Sequence, residues 1–321
     1  MERVTLGSSG LFVSPISFGT WQLSPRFWGE QSKADALDAM KCACDLGINF
    51  FDTADAYGDG YAETVLGEAL KDLPRQELVI CTKWFNHFNP DASRYPDLSP
   101  QHLRERCDAS LKRLGVDVID LALLHMFDPL TPLQDVAETL EDLRHQGKIR
   151  AFGVSNHNVE QLRAQRVSAA YSVVQPAYSL IEPGIEEDLL PFCQAENVGV
   201  MVYSPLHKGL LTGKYKGDET FGDFRANHPD FQGERFRHLC QCVQNLQPLA
   251  DGYGLTIYQL VLAATLMHPG IHNAICGIKT RGQIREAAGA LECSISRADY
   301  FTIRKTLNPP TKIADASGSR K

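Results

Sequence analysis

The chain has 321 residues, of which 43% are hydrophobic and 22% charged, and this ordinary globular composition is enough to bury a large core. Its net charge of −7 argues against a nucleic-acid partner. We expect a cytoplasmic protein without a membrane segment, because the N-terminus lacks a signal-peptide pattern, no apolar run could span a bilayer, and the nine cysteines show no CxxC spacing.

Strand-like and helix-like segments alternate along most of the chain. A short β-hairpin is expected over 4–13. Eight apolar runs then predict strands that are covered on both faces, because they lack the polar alternation of a half-exposed strand. These runs span 16–20, 49–52, 78–83, 118–124, 151–155, 172–175, 200–203 and 274–278.

Amphipathic segments with helical spacing lie between the strands. They span 33–46, 61–70, 100–114, 133–146, 159–165, 185–196 and 281–291. Ser99-Pro100 is typical of a helix start, and Gly115 and Gly147 are typical of helix ends. Eight strands that alternate with helices predict an α/β protein with a closed (β/α)8 barrel, or TIM barrel.

The segment 206–256 interrupts this alternation. Its first half is rich in Gly and Asp and predicts a long loop that covers a site after the seventh strand, whereas 234–253 is helical. We expect one barrel domain over 1–313 and a disordered tail over 314–321.

Polar side chains follow the carboxyl ends of the predicted strands. Asp52, Lys83 and His125 end the second, third and fourth strands, and Tyr57 follows Asp52. Taken singly, each has an ordinary structural explanation, such as a turn aspartate or a core histidine. Taken together, they lie on the one rim where barrel enzymes carry their active sites.

These four residues suggest proton transfer. A free phenol has a pKa of about 10, and a neighbouring ammonium favours the phenolate and lowers that value. We therefore interpret Tyr57 as a proton donor tuned by Lys83, with Asp52 holding Lys83 in place and a neutral His125 orienting a carbonyl oxygen. Such a site suits protonation of an oxygen as a hydride reaches its carbon.

Eight ordered motifs make the chain similar to the aldo-keto reductases, which are NAD(P)H-dependent carbonyl reductases built on this barrel. Within that family it resembles the group that contains bacterial oxidoreductases and potassium-channel β subunits. The motifs are NFFDTADAYG (49–58), GYAETVLGEAL (60–70), TKW (82–84), DLALLH (120–125), GVSN (153–156), QP (175–176), YSPLHKGLLTGKY (203–215) and GIKTRGQIREA (277–287).

The resemblance implies that Asp52, Tyr57, Lys83 and His125 are a catalytic tetrad. It also implies a nicotinamide cofactor whose carboxamide meets Ser155, Asn156 and Gln175 while Tyr203 stacks on the ring. The cofactor-binding residues that it implies are Thr20, Trp21, Asp52, Ser155, Asn156, Gln175, Tyr203, Ser204, Pro205, Leu206, Gly209, Leu211, Lys214, Arg225, Gly277, Lys279, Gln283 and Glu286.

The charges favour NADPH over NADH as the cofactor. Lys214 and Arg225 suit the pyrophosphate, and Lys279 or Arg285 suits a 2′-phosphate. The chain departs from the family at Ala287, where an asparagine is usual, so the adenine contact is expected to differ.

Aromatic side chains suggest a pocket for a small carbonyl substrate. The residues expected to line it are Trp21, Tyr57, Trp84, His125 and Phe127. Phe127 stands where the family commonly has proline, and it either narrows the pocket or packs its own loop. The sequence leaves the identity of the substrate and the oligomeric state open.

Two other functions compete with reduction. One is a regulatory or redox-sensing subunit that binds NADPH and turns over slowly. The other is a lyase that forms a Schiff base on Lys83. A metal site is not expected, because there is no HExxH motif and Pro269-Gly270 separates His268 from His272.

Overall fold

The computed structural model describes residues 1–89, 91 and 93–308, so the expected tail over 314–321 lies outside the described residues. Its centre is a closed barrel of eight parallel strands, which confirms the predicted (β/α)8 architecture. Within the described ranges, no helix is long and apolar enough to cross a membrane.

A small antiparallel hairpin, β1 (Val4–Thr5) and β2 (Phe12–Val13), closes the amino-terminal end of the barrel. Leu6 and Leu11 are buried there against side chains that fill the barrel interior. Gly7, in the turn, has a φ of 54°, and a Cβ at this position would lie 2.0 Å from the backbone nitrogen of Gly199. Only glycine allows the hairpin to approach the barrel this closely.

The barrel strands run in the order β10-β11-β12-β3-β4-β5-β8-β9 around the barrel. Another two-stranded hairpin, β6 and β7, stands above the barrel between β5 and β8. The ten strands after the first hairpin are β3 (Ile16–Gly19), β4 (Phe50–Asp52), β5 (Val79–Trp84), β6 (Asn86–Phe88), β7 (Arg94–Pro96), β8 (Ile119–Leu124), β9 (Ile149–Ser155), β10 (Val173–Gln175), β11 (Gly199–Tyr203) and β12 (Asn273–Gly277).

Helices surround the barrel, and further helices cover its rim and side. The helices are α1 (Pro25–Trp28), α2 (Lys33–Asp45), α3 (Tyr61–Leu70), α4 (Pro100–Leu114), α5 (Leu133–His145), α6 (Val159–Ser168), α7 (Leu189–Ala195), α8 (Gly233–Gln244), α9 (Gln247–Tyr253), α10 (Ile257–Leu266), α11 (Arg281–Gly289) and α12 (Arg297–Leu307). The helix expected over 185–196 is shorter than predicted, because a 3-10 turn, Gly184–Glu186, occupies its start. The helix expected over 234–253 is divided between α8 and α9.

The core has two layers that leave the carboxyl end of the barrel polar. One layer lies between the strands and the surrounding helices, and the other fills the barrel interior from the hairpin upward. All nine cysteines lie in the described part of the chain as free thiols. Above the interior layer, Asp52 and Lys83 are buried at the ends of β4 and β5, so the apolar filling stops where the site begins.

Candidate active site

A cavity of about 840 Å³ opens at the carboxyl ends of the barrel strands. Pockets for small ligands and cofactors have volumes of roughly 300–1,000 Å³, so this one has room for a large ligand. Its walls come from the loops after β3, β4, β8, β9, β10, β11 and β12 and from the β6–β7 hairpin.

Lys83 joins three groups at the floor of this cavity. Its Nζ donates hydrogen bonds to Asp52 Oδ1 and to the Thr53 carbonyl oxygen, both at 2.8 Å, and to Tyr57 Oη at 3.3 Å. The lysine side chain is fully buried. Burial alone lowers the pKa of Lys83, but Asp52 and Tyr57 outweigh it and raise the pKa above its usual value. The lysine is therefore an ammonium ion at neutral pH.

Asp52 is held on both of its carboxylate oxygens. Oδ1 accepts from Lys83, and Oδ2 accepts a hydrogen bond from Gln175 Nε2 at 2.8 Å. The backbone oxygen of Asp52 also accepts from Thr20 Oγ1 at 3.0 Å. A buried carboxylate with this many donors is fixed in position. Its role is therefore to hold the ammonium of Lys83.

The phenol of Tyr57 is protonated in this environment. Burial raises its pKa to about 12, and the lowering effect of Lys83 only partly offsets that rise. The expectation that Lys83 brings the phenol below its usual pKa is therefore wrong for this form of the site. Tyr57 carries its proton throughout the physiological pH range, as a proton donor must.

His125 faces Tyr57 across the floor of the cavity. The two rings are 5.9 Å apart between centroids and meet edge to face. Burial and the charge of Lys83 lower the histidine pKa to about 3, so the ring is neutral. Its Nδ1 is buried and has no hydrogen-bond partner among the described residues. Because His125 lines the cavity, its neutral ring is placed to bond a polar atom of a ligand.

A chain of hydrogen bonds fixes the wall beside this floor. Tyr203 Oη donates to Asn156 Oδ1 at 2.7 Å, and Asn156 Nδ2 donates to the His125 carbonyl oxygen at 3.0 Å. Ser155 Oγ donates to the Gln175 carbonyl oxygen at 2.8 Å. Asn156 has a φ of 57°, an unusual conformation for a residue with a side chain. The wall is thus locked into one arrangement next to the proton donor.

The opposite end of the cavity is positively charged. Lys208, Lys214, Arg225 and Lys279 all line it. Burial, together with repulsion from Arg225 and Lys214, lowers the pKa of Lys279 below its usual value. Mutual repulsion of this kind is relieved when an anion enters. The donor set therefore fits the phosphate groups of a nicotinamide dinucleotide.

Aromatic side chains from two distant loops meet over this charged end. Trp28 contacts Phe224 edge to face at 5.0 Å, and Trp21 lies 5.4 Å from Phe224. The Arg225 guanidinium and the Lys279 ammonium lie 5.3 and 5.1 Å from the Trp28 ring centroid, within the range of cation–π attraction. We call Trp21, Trp28 and Phe224 the aromatic cover.

Known proteins share both the fold and the motifs of this chain. The profile of the Aldo/keto reductase family matches residues 15–308. The chain belongs to the aldo-keto reductase family. It is accordingly an NAD(P)H-dependent oxidoreductase that acts on carbonyl compounds.

The relatives of this chain carry names that describe different activities or roles. The NADH-specific methylglyoxal reductase of Escherichia coli (strain K12) is 34% identical over 320 residues, covering 95% of this chain and 98% of the relative. A putative voltage-gated potassium channel subunit beta of Schizosaccharomyces pombe is 35% identical, covering 89% of this chain and 87% of its own. The solved glycerol dehydrogenase from Gluconobacter oxydans superposes with a TM-score of 0.89 at 30% identity, covering 96% of this chain and 95% of its own.

Most of the residues implied by the motifs line the cavity of this aldo-keto reductase. From the expected cofactor set these are Trp21, Asp52, Ser155, Asn156, Gln175, Tyr203, Ser204, Pro205, Leu206, Gly209, Lys214, Arg225, Gly277, Lys279, Gln283 and Glu286. Thr20 and Leu211 are fully buried and are not among the lining residues. Thr20 instead bonds the Asp52 backbone, and Leu211 belongs to the apolar core.

Two expected substrate contacts lie elsewhere. Trp84 is fully buried against the outer helices, and its Nε1 donates a hydrogen bond to Ser110 Oγ on α4 at 3.0 Å. Phe127 packs edge to face at 5.6 Å on His157, which lies in the neighbouring loop after β9. Neither is among the residues that line the cavity.

The motif analysis missed several lining residues. Those without a predicted role are Gly19, Gln22, Phe27, Trp28, Ala56, Asn86, Arg94, Ala177, Glu182, Lys208, Thr212, Phe224, Tyr258, Ile275 and Cys276. The clearest overlooked signal is the aromatic pair in PRFW (25–28), in the connection that follows the first barrel strand.

Proposed function

We propose that this aldo-keto reductase reduces a small aldehyde or ketone to the alcohol with NADPH, and that Tyr57 protonates the oxygen. The observation that carries this proposal is the contact of one buried ammonium, Lys83, with both Asp52 and the Tyr57 hydroxyl at the floor of the cavity. The cofactor, when bound, supplies a hydride to the carbonyl carbon. Every other role in the proposed reaction is assigned to side chains of the protein.

Tyr57 gives its proton to the oxygen of the carbonyl as negative charge develops there. The Lys83 ammonium, 3.3 Å from the hydroxyl, then stabilises the phenolate that remains. His125 is neutral and lines the cavity, so its ring is suited to position the carbonyl oxygen. Asp52 keeps Lys83 charged and in place through its 2.8 Å contact.

The cavity walls support a set of proposed cofactor contacts. Ser155, Asn156 and Gln175 are suited to hold the nicotinamide carboxamide, with Tyr203 beside its ring. Lys214, Arg225 and Lys279 provide charge for the phosphates. Arg285 is exposed and is not among the lining residues, so we assign the 2′-phosphate of NADPH to Lys279 rather than to Arg285.

Two kinds of relative bear on the choice of cofactor. An aldo/keto reductase from Klebsiella pneumoniae, solved with NADP and acetate, has a TM-score of 0.76 and 28% identity, covering 97% of this chain and 98% of its own. The relative from Escherichia coli, by contrast, is NADH-specific. The test is the ratio of kcat/KM with NADPH to that with NADH, before and after Lys279→Met. NADPH preference that falls with the variant supports the assignment, and a wild-type preference for NADH refutes it.

The decisive experiment replaces Tyr57 by phenylalanine. Loss of a general acid costs about 10²- to 10⁴-fold in rate, so Tyr57→Phe is expected to lower kcat at least 100-fold with methylglyoxal or nitrobenzaldehyde as the substrate. NADPH affinity, measured by fluorescence titration, is expected to stay within a few-fold. Tyr61→Phe, the same change at a partly exposed residue of α3, is the control. Equal loss of turnover and NADPH binding would refute the assigned role.

The same assay separates the competing functions. A regulatory subunit would bind NADPH and give only very slow turnover in the wild type, with every carbonyl compound tried. A Schiff-base lyase would need a neutral, accessible amine, whereas Lys83 is fully buried and charged. We therefore expect borohydride to trap no substrate on Lys83.

A further inference from the structure

Two histidines and an aspartate converge beside the cavity, outside the groups that the reduction uses. His87 lies on β6, Asp97 directly follows β7, and His102 is in the first turn of α4. One candidate ligand atom from each lies within 4.8 Å of the other two. Nδ1 of His87 is 3.5 Å from Asp97 Oδ2, and Nδ1 of His102 is 3.9 Å from the same oxygen.

The protons in this cluster are fixed by its surroundings. His102 Nε2 lies 3.1 Å from the Asn86 carbonyl oxygen, which only accepts, so Nε2 carries the hydrogen. In the neutral ring, Nδ1 then carries a lone pair. This lone pair faces a carboxylate oxygen, which also has only lone pairs to offer.

The other histidine adds a second open position. Nδ1 of His87 is buried and has no hydrogen-bond partner within the described ranges of the chain. The ring of His87 is stacked between Tyr95 at 4.7 Å and His102 at 5.1 Å, so it is held close to its neighbours. Two imidazole nitrogens and one carboxylate oxygen therefore face one another at the base of the hairpin.

The spacing suits a tetrahedral metal ion. Zinc bonds of about 2.0–2.1 Å to nitrogen and oxygen place neighbouring ligands about 3.3–3.5 Å apart. The observed 3.5 and 3.9 Å come within a few tenths of an ångström of that value. Imidazole with one carboxylate selects zinc and similar transition metals over magnesium or calcium, which prefer oxygen ligands.

We propose that His87, Asp97 and His102 form a zinc-binding site at the base of the β6–β7 hairpin. Water completes the coordination, because His87 and Asp97 are partly exposed. When zinc binds, the Nδ1 atoms of the two histidine rings coordinate the same ion, and the β6–β7 hairpin is thereby linked to the start of α4. Since Asn86 and Arg94 of this hairpin line the cavity, the bound metal fixes one wall of the active site.

A second histidine cluster in the chain offers a useful contrast. His207, His228 and Asp230 are as close together as the three residues of the proposed site. There, however, Asp230 already contacts Arg235, and Nε2 of His207 lies 2.8 Å from Asp230 Oδ2. The carboxylate is thus already paired with cationic and hydrogen-bonding groups. In the cluster on the hairpin, Asp97 accepts one backbone hydrogen bond, from Ser99 to Oδ1, and among the described residues it has no ion pair with a lysine or arginine.

The test measures metal binding to the full chain, independently of activity. The protein is freed of metal by a chelator, and Co²⁺, which reports its ligands by its visible spectrum, is titrated and then displaced by Zn²⁺. We expect one Co²⁺ per chain, with a spectrum that lacks thiolate charge-transfer bands. His87→Gln and Asp97→Asn are each expected to weaken binding at least tenfold, and His145→Gln, an exposed histidine on α5, is the control.

The variants are chosen so that the fold survives. His87 is partly exposed, and asparagine at 97 keeps the side-chain oxygen that accepts from the Ser99 backbone at 2.9 Å. Thiolate bands would place the metal on cysteines, and equal affinity in the wild type and both variants would place it elsewhere on the surface. Either result, or the absence of tight binding, would overturn the proposal.

Discussion

Asp55 provides the sharpest test of how this site is built. It follows Asp52 in the same loop, yet it is buried and is not among the residues that line the cavity. Both of its oxygens lack a hydrogen-bond partner among the residues described. Burial, followed by repulsion from Glu63, raises the pKa of Asp55 to about 8, although Arg106 and Arg113 pull it down. Asp55 is therefore a neutral acid at pH 7.

The sign and size of the effect on stability follow from that pKa. In the unfolded chain an aspartate has a pKa of about 3.9, so between about pH 4 and pH 8 the unfolded state releases a proton that the folded state keeps. The contribution of Asp55 to stability is complete below about pH 4 and is lost as the pH rises to about 8. The loss is about 1.4 kcal/mol per pH unit, which amounts to roughly 4 kcal/mol between pH 5 and pH 8.

Asp55→Asn removes this proton linkage with almost no change of shape. We expect the free energy of unfolding of the variant, minus that of the wild type, to rise by about 1.4 kcal/mol per pH unit from pH 5 to pH 8 and then to level off. Urea unfolding at half-unit pH steps measures it, and Asp72→Asn, at an exposed aspartate, is the control. Parallel curves for the wild type and Asp55→Asn would refute the burial of a protonated Asp55.

Three further outcomes are expected. Because the pKa of Tyr57 is about 12, Tyr57 keeps its proton between pH 6 and pH 10, and kcat/KM for carbonyl reduction should not fall over this range through loss of that proton. A fall in kcat/KM centred near pH 8 that disappears in Tyr57→Phe would contradict this. Trp84→Phe should lower the free energy of unfolding, measured with urea, by about 2 kcal/mol, because the hydrogen bond to Ser110 is lost. The same variant should leave the KM for the carbonyl substrate unchanged in steady-state assays. Trp28→Ala, which opens the aromatic cover, should speed NADPH release at least several-fold in stopped-flow fluorescence, and an unchanged rate would mean that the cover does not retain the cofactor.

The barrel and its catalytic floor were predictable for one reason. The carboxyl ends of parallel strands meet at the same end of a barrel, so residues far apart in the chain are brought together by topology alone. Asp52, Lys83 and His125 end successive barrel strands. In the structure Asp52 and His125 line one cavity, and the buried Lys83 is bonded to Asp52 and Tyr57 at its floor. No side-chain detail was needed for that inference.

Trp84 shows where the same reasoning fails and why. Successive side chains on a strand point to opposite faces, so if Lys83 points into the barrel, Trp84 must point out of it. The sequence contained this information, but the aromatic character of the residue suggested a pocket wall. The 3.0 Å bond from Trp84 to Ser110 on the outer helix α4 follows the alternation of the strand.

Other features could not be inferred from local pattern. The helix Ile257–Leu266 has no polar face, because nearly all of its residues are buried, and so it lacks the periodicity that marks a surface helix. Trp28 and Phe224 are almost two hundred positions apart, and their contact depends on how two long loops fold back. The same holds for His87 and His102, which only the β6–β7 hairpin brings together.

The pKa of the Tyr57 phenol is the property for which the expectation from the sequence and the folded structure differ most. From the sequence, Lys83 next to Tyr57 implies a lowered pKa, since an ammonium favours the phenolate. In the folded chain the same burial that makes this attraction strong also removes water from the phenol, and desolvation is the larger of the two effects. Lys83 is moreover already engaged by Asp52 at 2.8 Å, so part of its charge is neutralised before it acts on Tyr57. The ammonium therefore contributes most after the proton has left, when a phenolate lies beside it, and it stabilises the products of proton transfer more than it acidifies the resting phenol.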